Sequence, residues 1–527
     1  MPEGRTRAIL FGILALALGL RLINLAGRTL WYDEAFAVLF SEKGWDAMVE
    51  GTLTRVEGGA ADVHPLLYYM SLDTWMQAFG EGPSAVRLYS VLVGVATVYA
   101  VFLLARDWFG EQTGLAVALI TAVAPFHVQY SQETRMYALL GLILTLATWL
   151  YWRAWQRGYW GYWLAFGVLA GIGMYVQQLA AMFLVAMGLL PLLARDRART
   201  AKTGLAALLA LVIYLPWMLY LPEQLGKLRQ YWVHKPNILQ LWLALRSFVS
   251  VNLDFSPAWW LPTYLLAAML TVLLLYRGYG VLRSKRRKVA VDRAPLGWAL
   301  WLAFMPMILM WVISHVFQPV FLPRALLPSA IMFYCALGWL FTRGGMPRII
   351  VVVLTVAWGI VIVFSLVTHY TWDTFPNAPF DRAGNYLAQE RGDTDVIVHG
   401  NKITALPMIY YERDLPQRYV RDIPGSGSDT LAVPTQKALG LLADDCVAVA
   451  AGGAARVWYV TFEKLEEEMV QLVEDDPANA PYDSLSWLRA HYTETGVKRF
   501  NDLNVYKFEN PDDEALRATC GPRSESG

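Results

Sequence analysis

Charge is what this sequence has least of. Asp, Glu, Lys and Arg make up 17% of its 527 residues, against about 25% in ordinary soluble domains. With an apolar share of 56% and a mean hydropathy of +0.36, that shortfall argues against a soluble protein and for a membrane one. Cysteine is nearly absent too. Cys335, Cys446 and Cys520 are too few for a disulfide framework. Cys335 falls in an apolar run, which leaves Cys446 and Cys520 as the one pair that could bridge, without a motif to say so. There is no Walker loop, no dinucleotide fingerprint after a strand and no Cys/His metal spacing; Gly452-Gly453 is a turn. No internal repeat is visible. The net charge of +1 identifies no partner, and nothing points to nucleic acid.

What is present is a series of long apolar runs. A bilayer needs about 20 apolar residues as helix, and such runs fall near 8–25, 86–105, 113–130, 137–155, 160–177, 178–194, 203–222, 258–276, 295–314, 325–341 and 347–367. The expectation is a polytopic α-helical membrane protein of about eleven spans. Arg5 and Arg7 precede the first run and no small-residue cleavage pattern follows it, which reads as an uncleaved signal anchor. Basic residues gather in one set of short loops, Arg195–Lys202, Arg277–Arg293 with its SKRRK run, and around Arg343 and Arg348. Acids gather in the other set, including Asp33, Glu34, Glu42, Asp46, Glu50, Glu57, Asp62 and Glu81. By the positive-inside rule the N-terminus is cytoplasmic and the C-terminal segment lies outside the cell membrane.

The first outer loop, roughly 26–85, is longer than a connector requires. Within Leu66–Phe79, Tyr69, Leu72, Met76 and Phe79 recur at helical steps, the pattern of a helix lying in the interface. A second outer loop, 223–257, with Tyr231, Trp232, His234, Trp242, Arg246 and Asp254, also reads as partly helical and surface-lying. After the membrane domain at 1–367 the composition turns polar, with Pro and Gly clusters at Phe375–Pro379 and Pro424–Ser428. Strand-like runs at Val396–Val398, Val457–Thr461 and Val505–Phe508 alternate with amphipathic helices. Phe462, Leu465, Met469 and Leu472 mark one helix, and Ser484 could cap another. This predicts a C-terminal α/β extracytoplasmic domain over 368–510, then a disordered tail over 511–527.

Four short stretches could carry chemistry. Arg28–Phe36 reads RTLWYDEAF and puts Asp33 and Glu34 where a membrane helix meets water. They are either a solvated loop capping the helix that Ala35–Phe40 begins, or carboxylates pressed between Trp31, Tyr32 and Phe36 and tuned for proton transfer. In His64-Pro65-Leu66-Leu67-Tyr68-Tyr69, His64 either satisfies the free N–H groups of a helix opened by Pro65 or joins Tyr68 or Tyr69 at a cleft rim. The outer turn Gln132–Tyr137 holds Glu133, suited to an acceptor or a metal, and Arg135, suited to a phosphate. In Pro323–Pro328, Arg324 either snorkels to the interface or presents its planar fork to a phosphodiester. Arg87, opening the second long run, is a similar candidate. An enzyme with its acids outside the cell has no cytoplasmic nucleotide to use, so it needs a donor activated within the membrane, such as a lipid-linked sugar phosphate.

Taken in order, WYDEA, HPLLYY, the span opened by Arg87, SQETRMYAL and LPRALLPS resemble the membrane-embedded GT-C glycosyltransferases. Within these, the match is to the bacterial group akin to protein O-mannosyltransferases and lipid A aminoarabinose transferases. The resemblance covers about Arg5–Leu366. It implies transfer of a sugar from a polyprenyl-phosphate carrier to a protein, lipid or glycan acceptor at the outer face, by a single inverting displacement. By motif position it makes Asp33 the general base, with Glu34 its neighbour. Glu133 and His64 lie on the acceptor or metal side, Arg324, Arg135 and Arg87 near the donor phosphate, and Tyr68, Tyr69 and Tyr137 along the cleft. A divalent cation is the one candidate cofactor. The chain departs from the family in Leu66 after Pro65 and in Ala325 where a tyrosine is usual. A transporter or flippase of lipid-linked sugars is the alternative, though repeated halves and midplane charges are missing. A scaffold for envelope partners is the third reading.

Overall fold

The computed structural model describes residues 3–56, 59–228, 233–251, 257–284, 287–423 and 430–510. Helices stand at all eleven apolar runs. Seven of them are long and apolar enough to cross a membrane: Pro83–Phe109, Tyr137–Arg157, Arg197–Met218, Trp259–Arg283, Asp292–Val316, Pro323–Arg343 and Arg348–Thr371. An eighth candidate is broken, because Glu111–Val123 and Pro125–Ser131 meet at 61°. Pro125 explains the break: it cannot donate to the preceding turn, and it drives Ala124 to extended backbone. Trp160–Val176 and Ala180–Leu193 are shorter apolar helices. Helices passing by length and composition therefore number seven, or eight with the bent pair, against the eleven expected. Pro323–Arg343 is the centre of the bundle, with 89% of its apolar window buried, and its neighbours wrap it.

The loop 26–85 folds onto one end of this bundle. It contributes the helices Tyr32–Ser41, Gly44–Leu53 and Leu67–Phe79, and a two-stranded antiparallel ribbon of β1 (Arg55–Val56) and β2 (Gly59–Ala60). Tyr69, Leu72 and Met76 face inward as their spacing predicted, while Phe79 is 58% exposed and stacks on Trp75. In the second outer loop, helix Ile238–Val249 is not wholly surface-lying. Ile238 and Leu239 are exposed, but Arg246, Ser247, Phe248 and Val249 are buried against the bundle. Tyr231, Trp232, Asp254, Pro424–Ser428, two residues of the SKRRK run and the tail after Asn510 lie outside the described residues.

The C-terminal domain is a five-stranded mixed sheet. Strands β3 (Val396–His399), β4 (Gln417–Tyr419), β5 (Arg456–Phe462), β6 (Thr493–Phe500) and β7 (Leu503–Glu509) lie in the order β4-β3-β5-β7-β6. β3 runs parallel to β4 and β5, and β7 antiparallel to β5 and β6. Alternation along β5 sends Trp458 and Val460 to one packed face and Val457 and Tyr459 to the other. Three strands coincide with expected runs. β4 and β6 were not expected: β4 has three residues, and β6, an edge strand exposed along nearly its whole length, carries no apolar alternation. The expected helices are present at Glu463–Asp475 and Ser484–His491, but Asp483 rather than Ser484 caps the second, accepting from Ser486 N–H. Cys446 is disulfide-bonded and Cys335 is a buried free thiol.

The two domains share one core. Ala405, Leu406, Ile409 and Tyr410 of helix Lys402–Tyr411 belong to the same buried cluster as Phe36 and Phe40. Thr435 Oγ1 donates to Gly51 O at 2.7 Å, and a Cβ on Gly51 would stand 2.8 Å from Ala438 Cβ, so only glycine permits that approach.

Candidate functional site

Helix Tyr32–Ser41 starts three residues before the sequence suggested, so Asp33 and Glu34 occupy its first turn and point 100° apart. That rotation separates their fates. Glu34 is fully buried and meets Arg87 as a two-pronged pair, Nε–Oε1 2.9 Å and Nη2–Oε2 2.6 Å. Its Oε1 also accepts from Thr134 N–H at 2.9 Å. Arg87 gives its remaining N–H groups to the carbonyls of Leu25, Arg28 and Thr29. All five of its donors are thus consumed inside the protein. The phosphate role expected of Arg87 and the proton-transfer neighbour role expected of Glu34 do not fit this geometry; together they tie the acid helix to the second long helix.

Asp33 lies on the open side. Its Oδ2 accepts from Arg324 Nη1 at 2.9 Å and stands 3.8 Å from Arg135 Nε. Burial pushes the Asp33 carboxyl up, but Arg135, Arg324 and His64 outweigh it and hold it below the usual carboxylate range. Arg135 also donates to Asp33 O and to Tyr69 Oη, both at 3.3 Å. Arg324 sits over the Tyr137 ring, 5.6 Å from its centroid. Tyr68, Tyr69 and Tyr137 are all buried. Tyr69 and Tyr137 position the two arginines, and Tyr68 packs edge-on against Tyr69, so the tyrosines do not line an open cleft as expected.

Glu133 joins from the turn between Pro125–Ser131 and Tyr137–Arg157. It is buried and its Oε2 has no hydrogen-bond partner. Burial, reinforced by Glu34 and Asp33 and opposed by Arg28 and Arg324, pushes its carboxyl up to about 8. His64 does not cap the helix after it, which begins at Leu67 with no side-chain cap. Its Nδ1 instead pairs with Asp62 Oδ1 at 2.9 Å, and Asp62 also accepts from the backbone N–H of Val63 and His64. Four separate stretches of sequence, around 33, 64, 133 and 324, are brought to one end of the bundle.

Several residues of this end were not singled out from sequence. Arg28 donates to His369 Nδ1 and O at 3.1 Å, and His369 Nε2 meets Gln132 Oε1 at 2.8 Å. Gln132 Nε2 donates to the carbonyls of Arg21 and Ile23. This chain pins the first helix, the Glu133 turn and the end of helix Arg348–Thr371 together. From the C-terminal domain, Tyr411 Oη accepts from Leu30 N–H at 2.9 Å, and Thr29 Oγ1 donates to Ala378 O at 2.6 Å. Lys402 Nζ lies 5.7 Å from the Tyr32 ring centroid and 3.7 Å from Asp422 Oδ2. Asp62, two residues before His64, was the one signal available in sequence: an acid at that spacing can orient an imidazole.

A sequence profile described as dolichyl-phosphate-mannose-protein mannosyltransferase matches residues 63–220, which include His64, Arg87, Glu133 and Arg135. No curated protein matches this sequence. Among solved structures, ArnT from Cupriavidus metallidurans bound to undecaprenyl phosphate aligns at a TM-score of 0.58 and 14% identity, over 97% of this chain and 99% of that one. The archaeal oligosaccharyltransferase AglB from Archaeoglobus fulgidus, in complex with an inhibitory peptide and a dolichol-phosphate, aligns at 0.54 and 12%, over 96% of this chain and 74% of that one. This chain has the GT-C fold. Another AglB structure that the GT-C chain resembles, at a TM-score of 0.50 and 11% identity, is in complex with Zn and sulfate. Among the described residues here, no three His, Cys, Asp or Glu side chains converge on a metal position. Asp33 already faces two guanidiniums, 2.9 Å from Arg324 Nη1 and 3.8 Å from Arg135 Nε. No step below is routed through a divalent cation.

Proposed function

We propose that this GT-C protein transfers a sugar from a polyprenyl-phosphate donor to an acceptor on the outer side of the cell membrane, with inversion at the anomeric carbon. The observation that carries this reading is the Asp33–Arg324 pair at 2.9 Å, on the accessible side of a cluster whose other acid–arginine pair is sealed. One carboxylate and two arginines, Arg324 and Arg135, then meet at one point. Four arginines, 28, 87, 135 and 324, surround three acids of which Glu133 is largely protonated at pH 7. That surplus of positive charge suits a lipid phosphate.

In the reaction, the acceptor hydroxyl attacks the anomeric carbon and gives its proton to Asp33. The bond from that carbon to the phosphate oxygen breaks, and its electron pair leaves with the lipid phosphate. Arg324, with Arg135, stabilises the charge that grows there. Asp33 is a weak base while both arginines face it. When the donor phosphate accepts Arg324's N–H groups, Asp33 loses its shortest cationic partner and its proton affinity rises, so the base strengthens once the donor is in place. The disulfide at Cys446 accords with a C-terminal domain outside the cytoplasm.

The test is transfer of radiolabelled sugar from a panel of polyprenyl-phosphate monosaccharides by purified protein in lipid, with Asp33→Asn alongside. Transfer that is lost in Asp33→Asn supports the reading. Near-normal turnover in the variant removes Asp33 as base, and no transfer or released lipid phosphate from any donor favours a flippase.

A further inference from the structure

Beside His64 lies a cavity that the mechanism above leaves unused. His64, Gln177, Gln178, Leu179, Val320 and Leu322 line it. Gln177 stands where Trp160–Val176 gives way to Ala180–Leu193, with extended backbone at φ −159° and ψ 125°. Its side chain is 6% exposed and makes no hydrogen bond within the described residues. Its amide atoms are not sealed away, so both its donor and its acceptor are open to a ligand in the cavity. Gln178, by contrast, is tied down. Its Nε2 donates to Gln224 Oε1 at 2.5 Å, Trp217 Nε1 donates to the same oxygen at 3.0 Å, and Gln224 Nε2 donates to Asp62 O at 3.3 Å. This chain fixes the helix break against the Asp62–His64 loop. With Nδ1 of His64 turned to Asp62, Nε2 is the ring nitrogen left to the cavity.

The lining identifies the ligand class. It contains no Lys or Arg, so it is not a second phosphate site. It offers a carboxamide, which both donates and accepts, and an imidazole nitrogen, set among the apolar side chains of Leu179, Val320 and Leu322. Hydroxyl groups match the first two and the C–H face of a sugar ring matches the rest. The wall residue Leu322 is two positions from Arg324, and His64 lies near enough to Asp33 to act on its charge. We infer that this cavity receives the sugar of the lipid-linked donor, and that Gln177 and His64 select it by hydrogen bonds to its hydroxyls. The inference rests on the donor reading given under the proposed function.

The experiment compares dissociation constants of bare polyprenyl phosphate and of a panel of polyprenyl-phosphate monosaccharides, for the wild-type protein and Gln177→Met in lipid nanodiscs. Methionine has similar volume, and the Gln177 side chain makes no hydrogen bond within the described residues, so the exchange leaves folding intact. The wild-type protein is expected to bind one sugar lipid about tenfold or more tighter than the bare lipid. In Gln177→Met that preference disappears while the affinity for bare lipid holds. Leu322→Trp, which fills the cavity, gives the same selective loss. A preference that survives in both variants overturns the inference. Equal binding of bare and sugar-bearing lipid by the wild type also overturns it, and leaves the phosphate reading standing. Unchanged lipid affinities with a raised acceptor KM in Gln177→Met would transfer the cavity to the acceptor and refute the donor assignment. Failure of the wild type to bind either lipid would refute the proposed function itself.

Discussion

Asp33 and Glu34 are neighbours in the chain and opposites in the fold. Glu34 is sealed with Arg87 in a pair whose every donor is satisfied. Asp33 faces Arg324 and Arg135 on a side that remains open, with the carboxylate 14% exposed. The chemistry of the side chains is almost the same. What differs is whether water and a ligand can reach them, and whether their partners have anything left to give. A saturated buried pair fixes position; an accessible pair with exchangeable partners can react.

That contrast can be broken experimentally. The largest effect is expected at Asp33→Asn, where transfer should fall about 10²- to 10⁴-fold while thermal unfolding stays close to wild type. Arg87→Met should do the reverse, lowering stability by about 3–5 kcal/mol because Glu34 is left buried and unpaired. The double variant Glu34→Leu/Arg87→Met should recover much of that loss in the same unfolding assay. Arg324→Ala is expected to weaken binding of polyprenyl phosphate about 10- to 100-fold, the scale of one charge-assisted bidentate contact, and unchanged affinity would remove Arg324 from the donor site.

Glu133 sharpens the comparison further, since it is buried like Glu34 but has no arginine of its own. Folding raises its carboxyl to about 8 from an ordinary value near 4.5. The stability it contributes is therefore full below about pH 4.5 and is lost as pH rises through about 8. Above that pH a new negative charge opposes the donor phosphate, so lipid-phosphate affinity should drop several-fold between pH 7 and 9. Glu133→Gln should flatten both profiles. The smallest effect is expected at Tyr411→Phe, which leaves Leu30 N–H without its acceptor. It should cost about 1 kcal/mol and lower transfer only as far as the acid helix loosens.

Much of the site was legible because its residues come in short local patterns. Asp33, His64, Glu133, Arg135 and Arg324 each stand beside apolar runs where a charge has little reason to be, and all five reach the same end of the bundle. Arg87 was misjudged for a physical reason. A sequence shows that an arginine opens a helix, but not that three carbonyls from residues 25–29 will converge on it. The three tyrosines failed likewise, because an aromatic beside an arginine can support it from below or share its pocket. Gln177 gave no signal of its own, since its meaning depends on the partner that Gln178 has and it lacks.

By itself the sequence determined that this is a polytopic helical membrane protein with a polar α/β domain after it, because hydropathy and strand alternation are local properties of the chain. It also separated the acids and the basic runs into opposite sets of loops, which are likewise local features. Only the tertiary structure decided which of two adjacent carboxylates is open, which arginine is saturated by backbone carbonyls, and which of two adjacent glutamines is tied to Gln224. Those are questions of saturation and access, and they are answered by atoms tens to hundreds of residues away.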